Sequence, residues 1–165
     1  MIRVGTAIVL LTIVAALLGP IASPYDPSAQ ELSRRLESPS LSHPFGLDEL
    51  GRDILSRLLS GARISLLVGL AVVSVSSVVG MTLGSIAGYF GGLVDDLISR
   101  VVDVLMAFPG ILLAIALVAV LGPSLTNVVI ALSVIGWVGY ARLVRSQALR
   151  AREFEFVQAA RALGA

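Results

Sequence analysis

Between about residues 64 and 90 the chain runs without a single charged side chain. That one feature leaves few folds open. A bilayer core about 30 Å thick is spanned by about 20 apolar residues in a helix. Lipid cannot satisfy backbone polar groups, so only helices and closed barrels cross it. Three further stretches, at about 4–21, 101–121 and 125–140, have the same character. The one at 4–21 is broken only by Thr6, Thr12 and glycine and closes at Pro20, and the one at 101–121 carries Asp103 near its start. The runs are continuous rather than alternating, which argues against a barrel. With 56% hydrophobic and 14% charged residues, against about 25% charged in soluble domains, the chain has too little polar surface for a water-soluble globule. The expected fold is all-α, a polytopic membrane helical bundle with four transmembrane helices.

Composition removes most catalytic chemistry. All twelve basic residues are arginine, there is no cysteine, and there is one histidine. Without lysine there is no Walker A phosphate loop and no Schiff base. Without cysteine there is no disulfide and no thiolate metal site. A net charge of +1 gives no electrostatic footprint for nucleic acid. No cofactor and no metal are expected, and any ATP chemistry must come from a partner.

Four segments follow: 1–22, a first transmembrane helix; 23–63, an extracytoplasmic loop with an amphipathic helix; 64–141, a membrane core of three helices; and 142–165, a cytoplasmic segment. The first stretch can also be read as a secretory signal peptide, with Arg3 before the apolar run and a cleavage site at Ile21-Ala22-Ser23. Its run exceeds the ~7–15 residues of a signal peptide's apolar region, which favours a retained helix. Residues 91–100 read as a short loop, and Gly122-Pro123-Ser124 as a tight turn joining helices three and four. With an even number of spans both ends share a side. Arg3, Arg100, Arg142, Arg145, Arg150, Arg152 and Arg161 place that side in the cytoplasm by the positive-inside rule. Trp137 and Tyr140, taken as the end of helix four, suit an interfacial belt, as do Tyr89 and Phe90 for helix two.

Ser76, Gly80, Gly84 and Gly88 put a small residue at every fourth position of helix two. This spacing builds a bare stripe on which another backbone can approach closely, either as static packing or as a face that moves. Phe108-Pro109-Gly110 predicts a kink near Met106. Asp95, Asp96, Arg100 and Asp103 precede it and read as a locally paired, solvated boundary, with Asp103 the deepest. In the long polar segment Asp48 is a candidate cap for a helix from Glu49. Leu50, Ile54, Leu55, Leu58 and Leu59 then form its apolar face, and Asp53 pairs with Arg57 four residues on. His43 reads as a turn residue rather than a metal ligand. At the C-terminal end Phe154, Val157 and Ala160 share a helical face, Ala159-Ala160 leaves a shallow surface, and Gly164 can stop the helix. A helix lying on lipid is the alternative there, against which Glu153 and Glu155 argue.

Two stretches together resemble a known family. His43-Pro44-Phe45-Gly46, Asp48, Gly51-Arg52-Asp53 and Arg57 are similar to the loop before the second helix in dipeptide, oligopeptide and nickel ABC-importer permeases. Phe156-Val157-Gln158-Ala159-Ala160, followed by Gly164, resembles the EAA loop of ABC-importer permeases. Asp103 with Met106-Ala107-Phe108-Pro109-Gly110 fits the third helix of the same group. Gln158 stands where the general motif has glutamate, which keeps size and acceptor capacity without the charge. The resemblance implies a non-catalytic permease subunit in a bacterial or archaeal cytoplasmic membrane. Its partners would be a second homologous permease, two cytoplasmic ABC ATPases and an extracytoplasmic substrate-binding protein. Glu153, Phe154, Phe156, Val157, Gln158, Ala159, Ala160 and Gly164 would dock an ATPase. Such permeases have six helices, so this chain, stopping inside the coupling loop, is expected to be a fragment that does not transport alone. A secondary transporter or channel subunit and a non-transporting membrane scaffold are the competing readings.

Overall fold

The computed structural model describes residues 2–164, without the side chains of Ile2, Pro20 and Arg161. The first apolar stretch does not close at Pro20, since its helix continues to Ala22, and the expectation that Arg161 adds to the basic side concerns a side chain outside that description. Packing divides the chain into Met1–Gly69 and Leu70–Ala165. Six helices are described: α1 (Ile2–Ala22), α2 (Ile54–Phe90), α3 (Gly92–Met106), α4 (Gly110–Leu121), α5 (Leu125–Arg152) and α6 (Glu155–Ala162). The protein is a polytopic all-α membrane protein.

In the first unit α1 meets the start of α2 at Gly19, where a Cβ would lie 2.9 Å from the Leu59 Cβ. The loop between them contains one 3-10 turn, Leu32–Arg34, and a single antiparallel bridge from Leu47 to Asp53. The helix expected from Glu49 begins instead at Ile54. Asp48 does not cap it. Its carboxylate accepts the Leu50 and Arg52 backbone N–H groups at 2.8 and 3.0 Å, closing a turn. Gly51, at φ +71°, keeps that turn out of helical geometry. Asp53 is the cap, accepting the Ser56 N–H at 2.7 Å, the bond an N-cap makes to the third helical residue.

In the second unit α3 to α6 follow the membrane portion of α2. α2 and α5 are each long and apolar enough to cross a bilayer, and α3 with α4 make a third crossing if the bent pair counts as one. Arg3–Gly19 of α1 is a shorter apolar helix. Of the four expected crossings, then, two qualify uninterrupted. The third stretch is not a kinked rod but a broken one: α3 and α4 meet at 86°. The cause is Pro109, which has no N–H to continue a helix and instead precedes α4 in an extended conformation (ψ 113°). Residues 92–100, expected as loop, are the first turns of α3. α5 does not stop at Tyr140 but continues to Arg152, so Trp137 and Tyr140 lie midway along it rather than at its end.

The turn between α4 and α5 is fastened by side chains. Ser124 caps α5 by accepting the Asn127 N–H at 3.1 Å. Asn127 Nδ2 donates back to the Leu121 and Gly122 carbonyls at 2.8 and 2.9 Å, satisfying acceptors that a helix end leaves free.

Candidate functional site

The small-residue stripe of α2 faces α5. A Cβ at Gly80 would lie 2.5 Å from the Tyr140 Cβ, at Gly84 2.5 Å from the Ala141 carbonyl oxygen, and at Gly88 2.5 Å from the Ala148 Cβ. Ser76 lies at the same seam, and its Oγ would collide with a Cβ added at Gly136. The two backbones therefore touch at three successive turns, a separation that only glycine permits. The hydroxyls of Ser76 and Ser133 are buried and have no hydrogen-bond partner among the described residues.

Charge crosses the same region. Arg145 on α5 forms a two-pronged ion pair with Asp95 on α3, from Nε to Oδ1 and from Nη2 to Oδ2, the latter at 2.7 Å. Paired hydrogen bonds of this kind are among the strongest side-chain contacts. Ser99 Oγ donates to the same carboxylate at 3.3 Å, and Arg152 Nη1 donates to the Gly88 carbonyl at 3.3 Å. The local pairing expected among Asp95, Asp96, Arg100 and Asp103 is thus replaced, for Asp95, by a partner fifty residues away. No local signal marked this pair, since Arg145 is one of four arginines in α5, with Arg142, Arg150 and Arg152.

The loop motif folds around a buried dyad. His43 and Asp53 are 7% and 4% exposed, with Nδ1 and Oδ1 2.9 Å apart. The other Asp53 oxygen accepts the Ser56 N–H and O–H, both at 2.7 Å, and the Tyr25 ring lies on His43 with centroids 4.6 Å apart. The expected Asp53–Arg57 pair is absent because Asp53 is already occupied, and Arg57 instead approaches Asp48 at 3.5 Å. Arg52 pairs with Asp48 at 2.8 Å. Burial pushes the Asp53 carboxyl up, but the Ser56 hydrogen bonds and His43 outweigh it and hold the group below the usual aspartate range. Asp48 is held low mainly by the Arg52 backbone N–H. Gly46, at φ +73°, lies against the Glu37 carbonyl, and Gly51 against that of Glu31. Both close approaches leave no room for a side chain. Pro44 and Phe45 stay exposed at the surface. Among the described residues no three His, Cys, Asp or Glu side chains group as metal ligands.

At the other end α6 follows α5 after two residues. Gln158 Nε2 donates to Glu153 Oε2 at 3.2 Å, and Val157 and Gln158 donate their N–H groups to the Phe154 carbonyl at 2.9 and 3.1 Å. Phe154 and Phe156 sit with ring centroids 5.6 Å apart and are 48% and 72% exposed. Ala159, Ala160 and Gly164 are exposed as well, and Gly164 adopts φ +92° just past the helix. Asp103 lies on α3 and Pro109 at the break.

Comparison with known proteins bears on these parts together. The chain is 47% identical over 161 residues to a dipeptide transport system permease protein of Alkalihalophilus pseudofirmus, covering 98% of this chain and 53% of that one. It is 46% identical to a glutathione transport system permease protein of Pectobacterium atrosepticum, with 95% and 52% covered. It is 41% identical to an oligopeptide transport system permease protein of Bacillus subtilis, with 98% and 53% covered. The chain thus spans about half the length of the curated relatives it matches. Residues 80–165, which hold the glycine stripe, the Asp95–Arg145 pair and α6, match the model of one family. The chain belongs to the family of binding-protein-dependent transport system inner membrane components.

Proposed function

We propose that this chain supplies the membrane part of a permease subunit in an ATP-driven ABC importer, with peptides as its substrate class. The observation that carries the reading is the run of α5 from its membrane portion to Arg152 and, two residues later, into α6, which bears the segment resembling the EAA loop. A helix is stiff along its axis, so a push on α6 reaches the membrane through α5. The backbone contacts at Gly80, Gly84 and Gly88 pass that push to α2, and the Asp95–Arg145 pair passes it to α3. Exposed Phe154 and Phe156, with Glu153, Val157, Gln158, Ala159, Ala160 and Gly164, form the docking face for a cytoplasmic ATPase. In this reading both ends of the chain are cytoplasmic, and residues 23–63 lie outside, where a substrate-binding protein approaches the His43–Arg57 loop. A second homologous permease completes the pathway, two ATPases drive it, and this subunit is itself non-catalytic.

The test is capture of an ABC ATPase by the full chain in detergent. Ala160→Glu or Gly164→Glu should abolish it, while Gly5→Ala, with open space around it, should not. Undiminished capture by both the Ala160 and Gly164 variants would refute the docking face, as would labelling of a cysteine at residue 160 from outside intact cells. Proton-driven uptake by this chain alone would replace the reading with secondary transport.

A further inference from the structure

α3 does not have the surface of a helix that crosses lipid. Its 15 residues extend about 22 Å, short of a hydrocarbon core about 30 Å thick. With about 3.6 residues per turn, Leu93, Leu97, Val101 and Val104 share one side of α3, and all four are exposed. Asp96, Arg100 and Asp103 share the adjoining side and are exposed as well. Asp95, paired with Arg145, and buried Val102 mark the side turned to α5. Standing upright, α3 would carry its exposed charged row through two turns of hydrocarbon, a costly surrounding for each charge. Lying flat at the lipid–water boundary, it puts the apolar side among acyl chains and the charged row in water. The rest of the second unit favours the flat orientation. α3 meets α4 at 86°, and α4 is apolar from end to end. Asp95 and Met106 are eleven residues apart along α3, about 16 Å. Their partners Arg145 and Arg142 are only three residues apart along α5, about 4–5 Å. α3 thus runs across α5, a helix long and apolar enough to span a bilayer. It crosses at the level of Arg142 and Arg145, where the apolar run of α5 ends, and arginines at the end of such a run mark a membrane surface.

We propose that α3 is an interfacial helix lying in the plane of the membrane. Leu93, Leu97, Val101 and Val104 sit in the lipid, and Asp96, Arg100 and Asp103 sit in the headgroup layer. The border between the two sides runs along the helix axis, the shape of a flat lipid surface, and phospholipid is therefore the partner of this face. Through the Asp95–Arg145 pair α3 fastens α5 to that surface.

The chain has no cysteine, so the single variants Leu93→Cys, Leu97→Cys, Val104→Cys and Arg100→Cys each carry one nitroxide label. The full chain is reconstituted in phosphatidylcholine vesicles and read by electron paramagnetic resonance. Collision with oxygen, which concentrates in lipid, is compared with collision with chromium oxalate, which stays in water. Ile111→Cys and Val120→Cys, at exposed positions of α4, supply the depth scale, since an upright helix separates them by about 13 Å. The expected result is one common depth, about 5–10 Å into the lipid boundary, for the labels at residues 93, 97 and 104. The label at residue 100 should be open to chromium oxalate, and the two on α4 should differ in depth. A depth that changes by about 16 Å between residues 93 and 104 would show α3 upright and overturn the proposal. Shielding of the three apolar positions from both reagents would overturn it too, because protein would then cover them. Free access of chromium oxalate to all three would place α3 in bulk water, with the same consequence. If the label at residue 97 disturbs the fold, the pair at Leu93 and Val104, 81% and 60% exposed, separates these outcomes alone.

Discussion

Replacing Gly84 by alanine adds one methyl group to the α2–α5 seam where the facing atoms are backbone alone. The new Cβ would sit 2.5 Å from the Ala141 carbonyl oxygen and 3.0 Å from its Cα, so the helices must part by about 0.9 Å to restore ordinary contact at 3.4 Å. Both obstructing atoms are backbone, and no rotamer change relieves them. Overpacking of this kind costs about 1–3 kcal/mol, against a gain of about 1 kcal/mol from replacing glycine inside a helix. Gly69→Ala isolates the gain, because Gly69 lies in the same helix with nothing within 4 Å of its added Cβ. The two variants should therefore differ by about 1–3 kcal/mol, and at roughly 2–4 °C per kcal/mol for a chain of this size they should melt several degrees apart. Trp137, whose carbonyl lies against Gly80 one turn away, reports the seam by fluorescence. A Gly84→Ala protein that melts at or above Gly69→Ala would show that the backbones do not touch there, and the proposed transmission from α5 to α2 would lose its basis.

Other outcomes follow from the same geometry. Asp53→Ala removes the cap of α2 and the partner of buried His43, and should cost about 1–2 kcal/mol or more, read as lost amide protection at Ser56 and Leu47. The pH dependence has a definite sign. The Asp53 carboxyl is held low in the folded loop and returns to about 3.9 when unfolded, so the unfolded loop binds more protons. Its stabilisation is complete above about pH 4 and is lost as the pH falls through the lower folded value; amide protection that stays flat down to pH 2 would contradict this. A double-mutant cycle with Asp95→Asn and Arg145→Gln should return a coupling of about 1 kcal/mol, discounted for the 37% exposure of the arginine side chain, and additive melting shifts would deny the pair. Asn127→Leu strips two hydrogen bonds from the α4–α5 turn and should destabilise that hairpin by about 1–2 kcal/mol, measured as faster exchange of the Gly122 amide.

The sequence alone determined that this chain is a set of membrane helices, because the length of an apolar run is a local property that lipid reads directly. It also marked the glycine stripe, a bend at Phe108-Pro109-Gly110 (though as a kink rather than the break that α3 and α4 make) and the loop and C-terminal motifs, since each depends on spacing within a few residues. What it left open was every choice of partner. Asp53 had Arg57 one turn ahead, yet the loop fold brings His43 and Ser56 to it first. Asp48 looked like a helix cap, and only Gly51 in a left-handed conformation assigns that role to Asp53. Asp95 found Arg145 across fifty residues, and the stripe on α2 found α5 rather than a helix nearer in sequence. Pairings of this kind depend on which surfaces meet once the helices stand side by side, and that arrangement is settled by the tertiary structure.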